Sequence, residues 1–351
     1  MLQDLVDKGV LKSFAPPSAL NAENFQELAG KTHVEEMPAG KTIFKPGDLD
    51  RKAVYLIEGE VELAPEGGEK SVLKAGTDLS KHPMANQQPR KHLAVTTTNS
   101  KITRIDSDLL DILLTWDQMS GIEVDEITAA EDDEDGDDGG DWMTRILQSK
   151  AFLQVPSANI QAMLMRIQEV PVKANETIIT QGDDGDYYYI VKTGKCKVTR
   201  PSKTGSELVL ATLGDGDAFG EEALLSEAKR NVNIIMTTDG ALMRLSKEDF
   251  NELLKEPMLS WVTNEEGDAL VVGGAVWVDV RLDSEFKNNG IEGSINIPLF
   301  MLRMKADSLD VNKHYILYCD TGRRSSVGAF LLSERGIQTS CLQGGLQERD
   351  S

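Results

Sequence analysis

The sequence predicts a multidomain chain: two antiparallel β-roll domains with flanking helices, followed by a smaller α/β domain. Three observations carry that reading. Short strands punctuated by glycine turns begin after residue 36 and return in the same order after residue 176. A strongly acidic stretch separates the two copies. From about Ala269 the pattern changes to buried-strand runs alternating with helical pieces, the order of a mainly parallel sheet. A chain of 351 residues holds two or three domains, each able to bury its own core.

Residues 1 to about 35 carry apolar positions at helical spacing (Leu2, Leu5 and Val6, then Phe25 and Leu28), broken at Pro16-Pro17, and are expected to form short leading helices. The first repeat then runs Lys41-Thr-Ile-Phe, a turn at Pro46-Gly47-Asp48, Ala53-Val-Tyr-Leu-Ile, a turn at Glu58-Gly59, and Val61-Glu-Leu. The second runs Thr177-Ile-Ile-Thr, Gln181-Gly182-Asp183, Tyr187-Tyr-Tyr-Ile-Val, Thr193-Gly194 and Cys196-Lys-Val. Thr42 pairs with Thr177, Gly47 with Gly182 and Gly59 with Gly194, a constant offset of 135 residues. Many short strands with glycine turns imply an antiparallel roll. The expected boundaries are 1–120 and 143–258 for the two rolls, 121–142 for a linker, and 259–351 for the α/β domain.

Composition narrows the function classes. The formal net charge of −21 opposes a nucleic-acid partner, which needs clustered Lys and Arg, and no basic helix-turn-helix follows residue 255. Eleven of the acidic residues lie within 123–141, where no basic residue occurs; self-repulsion and few apolar residues make this an extended linker. As a calcium loop it is out of register, because Gly136 at loop position six puts Trp142 where a bidentate Glu is needed. No metal site is expected beyond weak cation binding there. No run of about 18 apolar residues exists, so no membrane span is expected, and the first residues lack the basic and apolar regions of a signal peptide. Cys196, Cys319 and Cys341 cannot all pair, which fits a reducing cytoplasm, and Cys196 and Cys341 lie on strands and read as structural. A homodimer is left open.

Two stretches carry chemistry. In Phe219-Gly-Glu-Glu-Ala-Leu-Leu-Ser-Glu-Ala-Lys-Arg230, Gly220 permits a tight turn, and a short helix over Glu221 to Leu225 points free N–H groups outward to an anion. Arg230 adds a fork of donors for the same anion, while Glu221 is acceptor-only and suits a pair of sugar hydroxyls. The ligand so described has a sugar edge at one end and a phosphate at the other. This stretch resembles the phosphate-binding cassette of cyclic-nucleotide-binding domains, in which an Arg follows the Glu by nine residues, as here. The resemblance implies an eight-stranded jelly roll, cAMP or cGMP as regulatory ligand, Glu221 on the ribose 2′-hydroxyl, Arg230 on the cyclic phosphate, and a binding role for the helix-turn backbone at Gly220, Glu222 and Ala223. Asn231 stands where the family has a small or hydroxyl residue, leaving the choice of base open. Beyond the first hairpin the offset is 140, which sets Lys81 opposite Glu221 and Arg90 opposite Arg230. With Lys81 and Pro83 in its cassette, the first repeat is expected to be a degenerate copy without cyclic nucleotide. Trp261 is a candidate lid for the base, with packing between domains as its ordinary role.

In the α/β unit, Val276-Trp-Val-Asp-Val and Ile295-Asn-Ile-Pro read as strands, Ser284-Glu-Phe begins a helical piece, and His314-Tyr-Ile-Leu-Tyr leads into Cys319. Cys319-Asp-Thr-Gly-Arg-Arg324 feeds a helix over Ser325 to Arg335. The amides of Asp320, Thr321, Gly322 and Ser325, together with Arg323 and Arg324, are expected to favour the thiolate, lower its pKa and make Cys319 a nucleophile toward anions. The last 85 or so residues resemble a rhodanese domain: Asp279-Val-Arg281, Gly290-Ile-Glu-Gly293-Ser-Ile-Asn-Ile-Pro298, the Cys319 loop and Gly344-Gly345 follow that family in order. The six-residue Cys-x4-Arg loop is the sulfurtransferase form, and Gly290 and Leu346 depart from the family's usual His and aromatic residues. The resemblance implies sulfane-sulfur transfer from a small sulfur donor through a persulfide on Cys319 to a thiophilic acceptor. The sequence thus reads as a bacterial, cytoplasmic, cyclic-nucleotide-regulated sulfurtransferase. The competing class is a regulatory protein whose rhodanese-like domain only docks a partner.

Overall fold

A computed structural model describes residues 4–65, 67–120, 142–148, 155–201 and 207–349. The leading helices are α1 (Lys8–Lys12), started by the Asp7 carboxylate accepting from the Gly9 and Val10 amides, and α2 (Ala22–Lys31), capped by Asn21. Strands β1 (Val34–Met37), β2 (Thr42–Phe44), β3 (Lys52–Glu58), β4 (Glu60–Pro65), β5 (Ser71–Lys74), β6 (His92–Thr96) and β7 (Ser100–Asp106) form two antiparallel sheets, ordered β1-β7-β3 and β2-β6-β4-β5. Helix α3 (Ser107–Ser120) closes the unit. Two apolar clusters fill it, one around Tyr55, Leu28 and Leu114 beneath the helices and one around Val54, Val61 and Ile102 between the sheets.

After α4 (Trp142–Gln148) and α5 (Ser157–Arg166), the second unit repeats this plan with β8 (Gln168–Val172), β9 (Thr177–Ile179), β10 (Tyr187–Thr193), β11 (Cys196–Pro201), β12 (Glu207–Leu213), β13 (Ala218–Phe219), α6 (Glu221–Ser226), β14 (Asn233–Met236) and β15 (Gly240–Ser246). Its sheets run β13-β10-β15-β8 and β12-β11-β14-β9. Strand for strand this is the order of the first unit, with β13 and α6 added. The turn glycines Gly47, Gly59, Gly182 and Gly194 all sit at positive φ, the backbone region for which the shared pattern selects glycine. Cys196 and Val61 occupy matched, fully buried positions. The Ser246 hydroxyl accepts from the Asp249 amide and starts α7 (Lys247–Phe250), which continues through a π turn into α8 (Glu256–Met258).

The third unit has five parallel strands ordered β16 (Trp261–Val262), β20 (Gln338–Leu342), β19 (His314–Tyr318), β17 (Val276–Asp279) and β18 (Ile295–Asn296). Helices α9 (Asn264–Val272), α10 (Asp283–Asn289), α11 (Leu299–Lys305), α12 (Arg323–Ser333) and α13 (Gly345–Glu348) connect and cover them. Two helices differ from the expected order. Helix α9 precedes the first long strand, and α11 lies between the Ile295 and His314 strands, where a direct connection was expected. Strands β18 and β19 lie parallel on either side of β17, so the chain between them needs a crossover, and α11 supplies it, burying Leu299 and Leu302. The acidic stretch 123–141 lies outside the described residues. Among the described residues no helix is long and apolar enough to cross a membrane.

Candidate functional site

Strand β13 delivers the chain to Gly220, whose φ of +91° opens the turn into α6. A Cβ there would lie 3.1 Å from the Tyr187 carbonyl and 3.0 Å from Arg230 Nη1, so space and backbone both require glycine. Arg230 is buried: Nη1 donates to the Gly220 carbonyl at 2.7 Å, and Nη2 donates to Asp186 Oδ1 at 3.0 Å and the Tyr187 carbonyl at 2.8 Å. The guanidinium therefore braces the start of α6 against β10. Glu221, Glu222, Ala223 and Asn231 lie beside it around a cavity of about 520 Å³, within the range of small-molecule sites. Val198, Arg200 and Leu210 form its inner wall. Arg303 and Met304, from α11 of the third unit, close it from outside.

Arg303 pairs with the carboxylate expected to meet a sugar. Its Nη2 lies 3.4 Å from Glu221 Oε1 and also pairs with Glu222. Burial pushes the Glu221 carboxyl above its ordinary range, the Glu222 charge adds to this, and Arg303 opposes it. Asn231 Nδ2 donates to Glu222 Oε2 at 2.7 Å and to the Met119 carbonyl of α3 at 3.4 Å. Asn231 thus ties the cassette to the first unit.

The second candidate cluster lies at the carboxyl end of β19. Cys319 is fully buried, with Gly322 N donating to Sγ at 3.1 Å and Ser325 Oγ 3.7 Å away. Gly322 at φ +95° makes the turn that starts α12. Beneath the loop, a Cβ on Gly345 would come 2.5 Å from the Cys319 and Asp320 carbonyls, so that glycine lets the chain end pass under it. Leu346 and Gln347 amides then donate to those carbonyls at 2.8 and 2.9 Å. The charges are paired in series. Asp279 holds Arg281, Arg281 reaches Asp320 Oδ1 at 2.8 Å, and Arg324 takes Glu285 in a two-pronged pair at 2.9 Å on each prong.

Two expectations are corrected here, and one candidate role falls away. The Cys319 thiol is not activated in this arrangement: burial pushes its pKa up, Asp111 of α3 acts in the same direction, and the opposing Arg324 charge does not overcome them. Arg323 points away from the sulfur and pairs with Glu227 of the cassette at 2.7 Å. Trp261 does not cover the nucleotide-type cavity; it forms the edge strand β16, within 3.4 Å of where a Gly322 Cβ would lie. Asp111 and Arg303 contribute to the two clusters and carried no motif. Arg303 had a faint signal, since Leu299, Leu302 and Ala306 share one helical face after Pro298. Asp111 had none, because it lies more than two hundred residues from the loop it touches.

Fold and clusters define a nucleotide-type β-sandwich coupled to a cysteine-loop α/β domain, and the comparisons with known proteins agree. Residues 169–256 match the cyclic nucleotide-binding domain model and residues 260–349 match the rhodanese-like domain model. The chain therefore carries a cyclic nucleotide-binding domain followed by a rhodanese-like domain. It is 24% identical over 257 residues to the cGMP-dependent protein kinase egl-4 of Caenorhabditis elegans, covering 72% of this chain and 30% of that protein. It is 37% identical over 83 residues to a cAMP-dependent protein kinase regulatory subunit of Yarrowia lipolytica, covering 24% and 21%. The chain thus spans less than a third of the length of either relative. A solved regulatory subunit of a cAMP-independent protein kinase A from Trypanosoma cruzi, bound to guanosine, is similar over 72% of this chain and 85% of that one, at 15% identity and a TM-score of 0.31.

Proposed function

We propose that the chain is a cyclic-nucleotide-regulated sulfurtransferase, with a degenerate roll over 1–120, an acidic linker over 121–142, a nucleotide-binding roll over 143–258 and a rhodanese-like domain over 259–351. The observation that carries it is the Cys319–Arg324 loop, in which an amide donates to Sγ at the head of α12. Cys319 thiolate attacks the outer sulfur of a donor such as thiosulfate; the new S–S bond makes a persulfide as the donor S–S bond breaks, releasing sulfite with the electron pair. A thiophilic acceptor, cyanide in the assay, then takes the outer sulfur and returns the thiolate. The Asp320, Thr321 and Gly322 amides and Ser325 hydroxyl hold the anion, and Arg324 balances its charge. At the other site cAMP or cGMP takes the cavity with its phosphate on the α6 amides and Arg230 and its ribose on Glu221, which requires Arg303 to yield its partner. Cytoplasmic location belongs to the same reading.

A second reading, a docking module without turnover, is favoured by the complete burial of Cys319 and its raised thiol pKa. Thiocyanate production by the whole chain, with and without saturating cAMP or cGMP, separates them. Production that rises with one nucleotide and vanishes in Cys319→Ser is expected. None under any nucleotide overturns the enzyme.

A further inference from the structure

Helix α3 belongs to the first roll, yet its two ends touch the candidate sites of the other two units. Near its start, Asp111 is 3% exposed; Oδ1 lies 2.9 Å from Arg324 Nε, and Oδ2 accepts from the Thr321 hydroxyl. These partners belong to the Cys319 loop. The other two nitrogens of Arg324 are taken by Glu285, so the Nε edge is the one an incoming anion would meet, and a carboxylate already faces it. The Arg324 Nε and Asp111 Oδ1 contact is off the hydrogen-bonding angle, a charge pairing that a better-shaped anion can improve upon. The space left between Tyr55, Asp111, Thr321, Arg324 and Gln347 is about 20 Å³. That volume holds roughly one water, not a five-atom sulfur anion.

The far end of α3 grips the cassette. Trp116 Nε1 donates to the Lys229 carbonyl at 3.1 Å, and the Met119 carbonyl accepts from Asn231, so the two bonds flank Arg230. Asp111 and Met119 are about 12 Å apart along one rigid helix at 1.5 Å per residue. Two turns along the same face as Asp111, the Gln118 side chain accepts from the Leu299 amide at the start of α11.

We propose that Asp111 is a built-in occupant of the Cys319 anion site, making the first roll an inhibitory cap on the rhodanese-like domain, and that α3 carries its release from the nucleotide cassette. The inference rests on the proposed roles of Cys319 and of residues 220–231. Nucleotide phosphate draws Arg230 from the Gly220 and Tyr187 carbonyls, the adjoining Lys229 and Asn231 bonds to α3 shift, and Asp111 leaves Thr321 and Arg324.

The test reads access to Cys319 separately from turnover. Full-length protein is treated with iodoacetamide, and alkylation of the Cys319 peptide is followed by mass spectrometry. Asp111→Asn, which keeps shape and loses charge, is expected to raise the Cys319 rate about tenfold without nucleotide, within the usual range of coupling between sites. Thiosulfate should then protect Cys319 in the variant and not in the wild type, while Gln118→Ala, a contact on the same helix outside the loop, stays at the wild-type rate. The nucleotide that raises the wild-type rate should have no further effect on Asp111→Asn. A wild-type alkylation rate in Asp111→Asn, or equal exposure in Gln118→Ala, overturns the plug. Nucleotide binding that leaves wild-type alkylation unchanged overturns the coupling. Faster alkylation with no thiocyanate supports the cap and refutes only the sulfurtransferase.

Discussion

The two rolls share one strand order and one arginine and part at the cassette. In the first, Arg90 donates to the carbonyl of Lys52, the first residue of β3, and to Asp50 at 2.8 and 3.1 Å. In the second, Arg230 donates to the carbonyl of Tyr187, the first residue of β10, and to Asp186 at 3.0 Å. The matched arginines are struts first, locking a loop to the same strand end. What differs is what stands beside them. Leu79–Lys81 is a single 3-10 turn whose Lys81 pairs with exposed Asp78, whereas Gly220 and α6 set Glu221 against a cavity. Arg90 is sealed under Asp50 and over the Phe44 ring at 4.2 Å. The arginine is therefore common to both rolls, and the turn and the acceptor next to it are what set the second apart.

The comparison breaks if both arginines serve the same end. Arg90→Ala is expected to cost about 4 kcal/mol of stability, since the Lys52 and Ala85 carbonyls lose a buried donor and Asp50 keeps only Arg104, Gln88 and the Lys52 amide, and to leave nucleotide affinity unchanged. Chemical denaturation and calorimetry read the two effects, and weakened nucleotide binding would make the first roll a second site. Arg230→Ala is expected to cost about 3 kcal/mol in cyclic-nucleotide affinity, because a desolvated phosphate loses a charged partner. Equal affinity by calorimetry removes the assigned site.

A smaller effect sharpens the contrast between a cassette packed on α12 and one facing solvent. Glu334, at the end of α12, has its carboxyl pushed up to about 8 by burial and by the Glu221 charge. Because the folded state favours the protonated acid, its contribution is fully present below about pH 4.5 and is lost as pH rises to about 8. Glu334→Gln should therefore match the wild type at pH 4.5 and exceed it by on the order of 2 kcal/mol at pH 8. A stability difference that stays constant with pH refutes that state of the carboxyl. Least affected is Lys81→Ala, expected within about 0.5 kcal/mol of wild type in stability, since an exposed ion pair contributes little.

Local signals in the chain were strong wherever a backbone position has few solutions. The glycine turns at matched spacing announced two copies of one roll, Gly220 with Glu221 and Arg230 marked the cassette, and Cys319 between a strand and a helix marked the loop. Such features are legible because φ > 0, donor geometry and strand period each restrict residue type within a few positions. The packing of the three units on one another was not legible in that way. Asp111 against Arg324, Arg303 against Glu221 and Arg323 against Glu227 join residues about 80 to more than 200 positions apart. The state of the Cys319 thiol follows from those contacts, since a pKa depends on burial and on which charges stand nearby in space. The residues suggested a candidate loop around Cys319; the fold set the Asp111 carboxylate of the first roll against Thr321 and Arg324 of that loop.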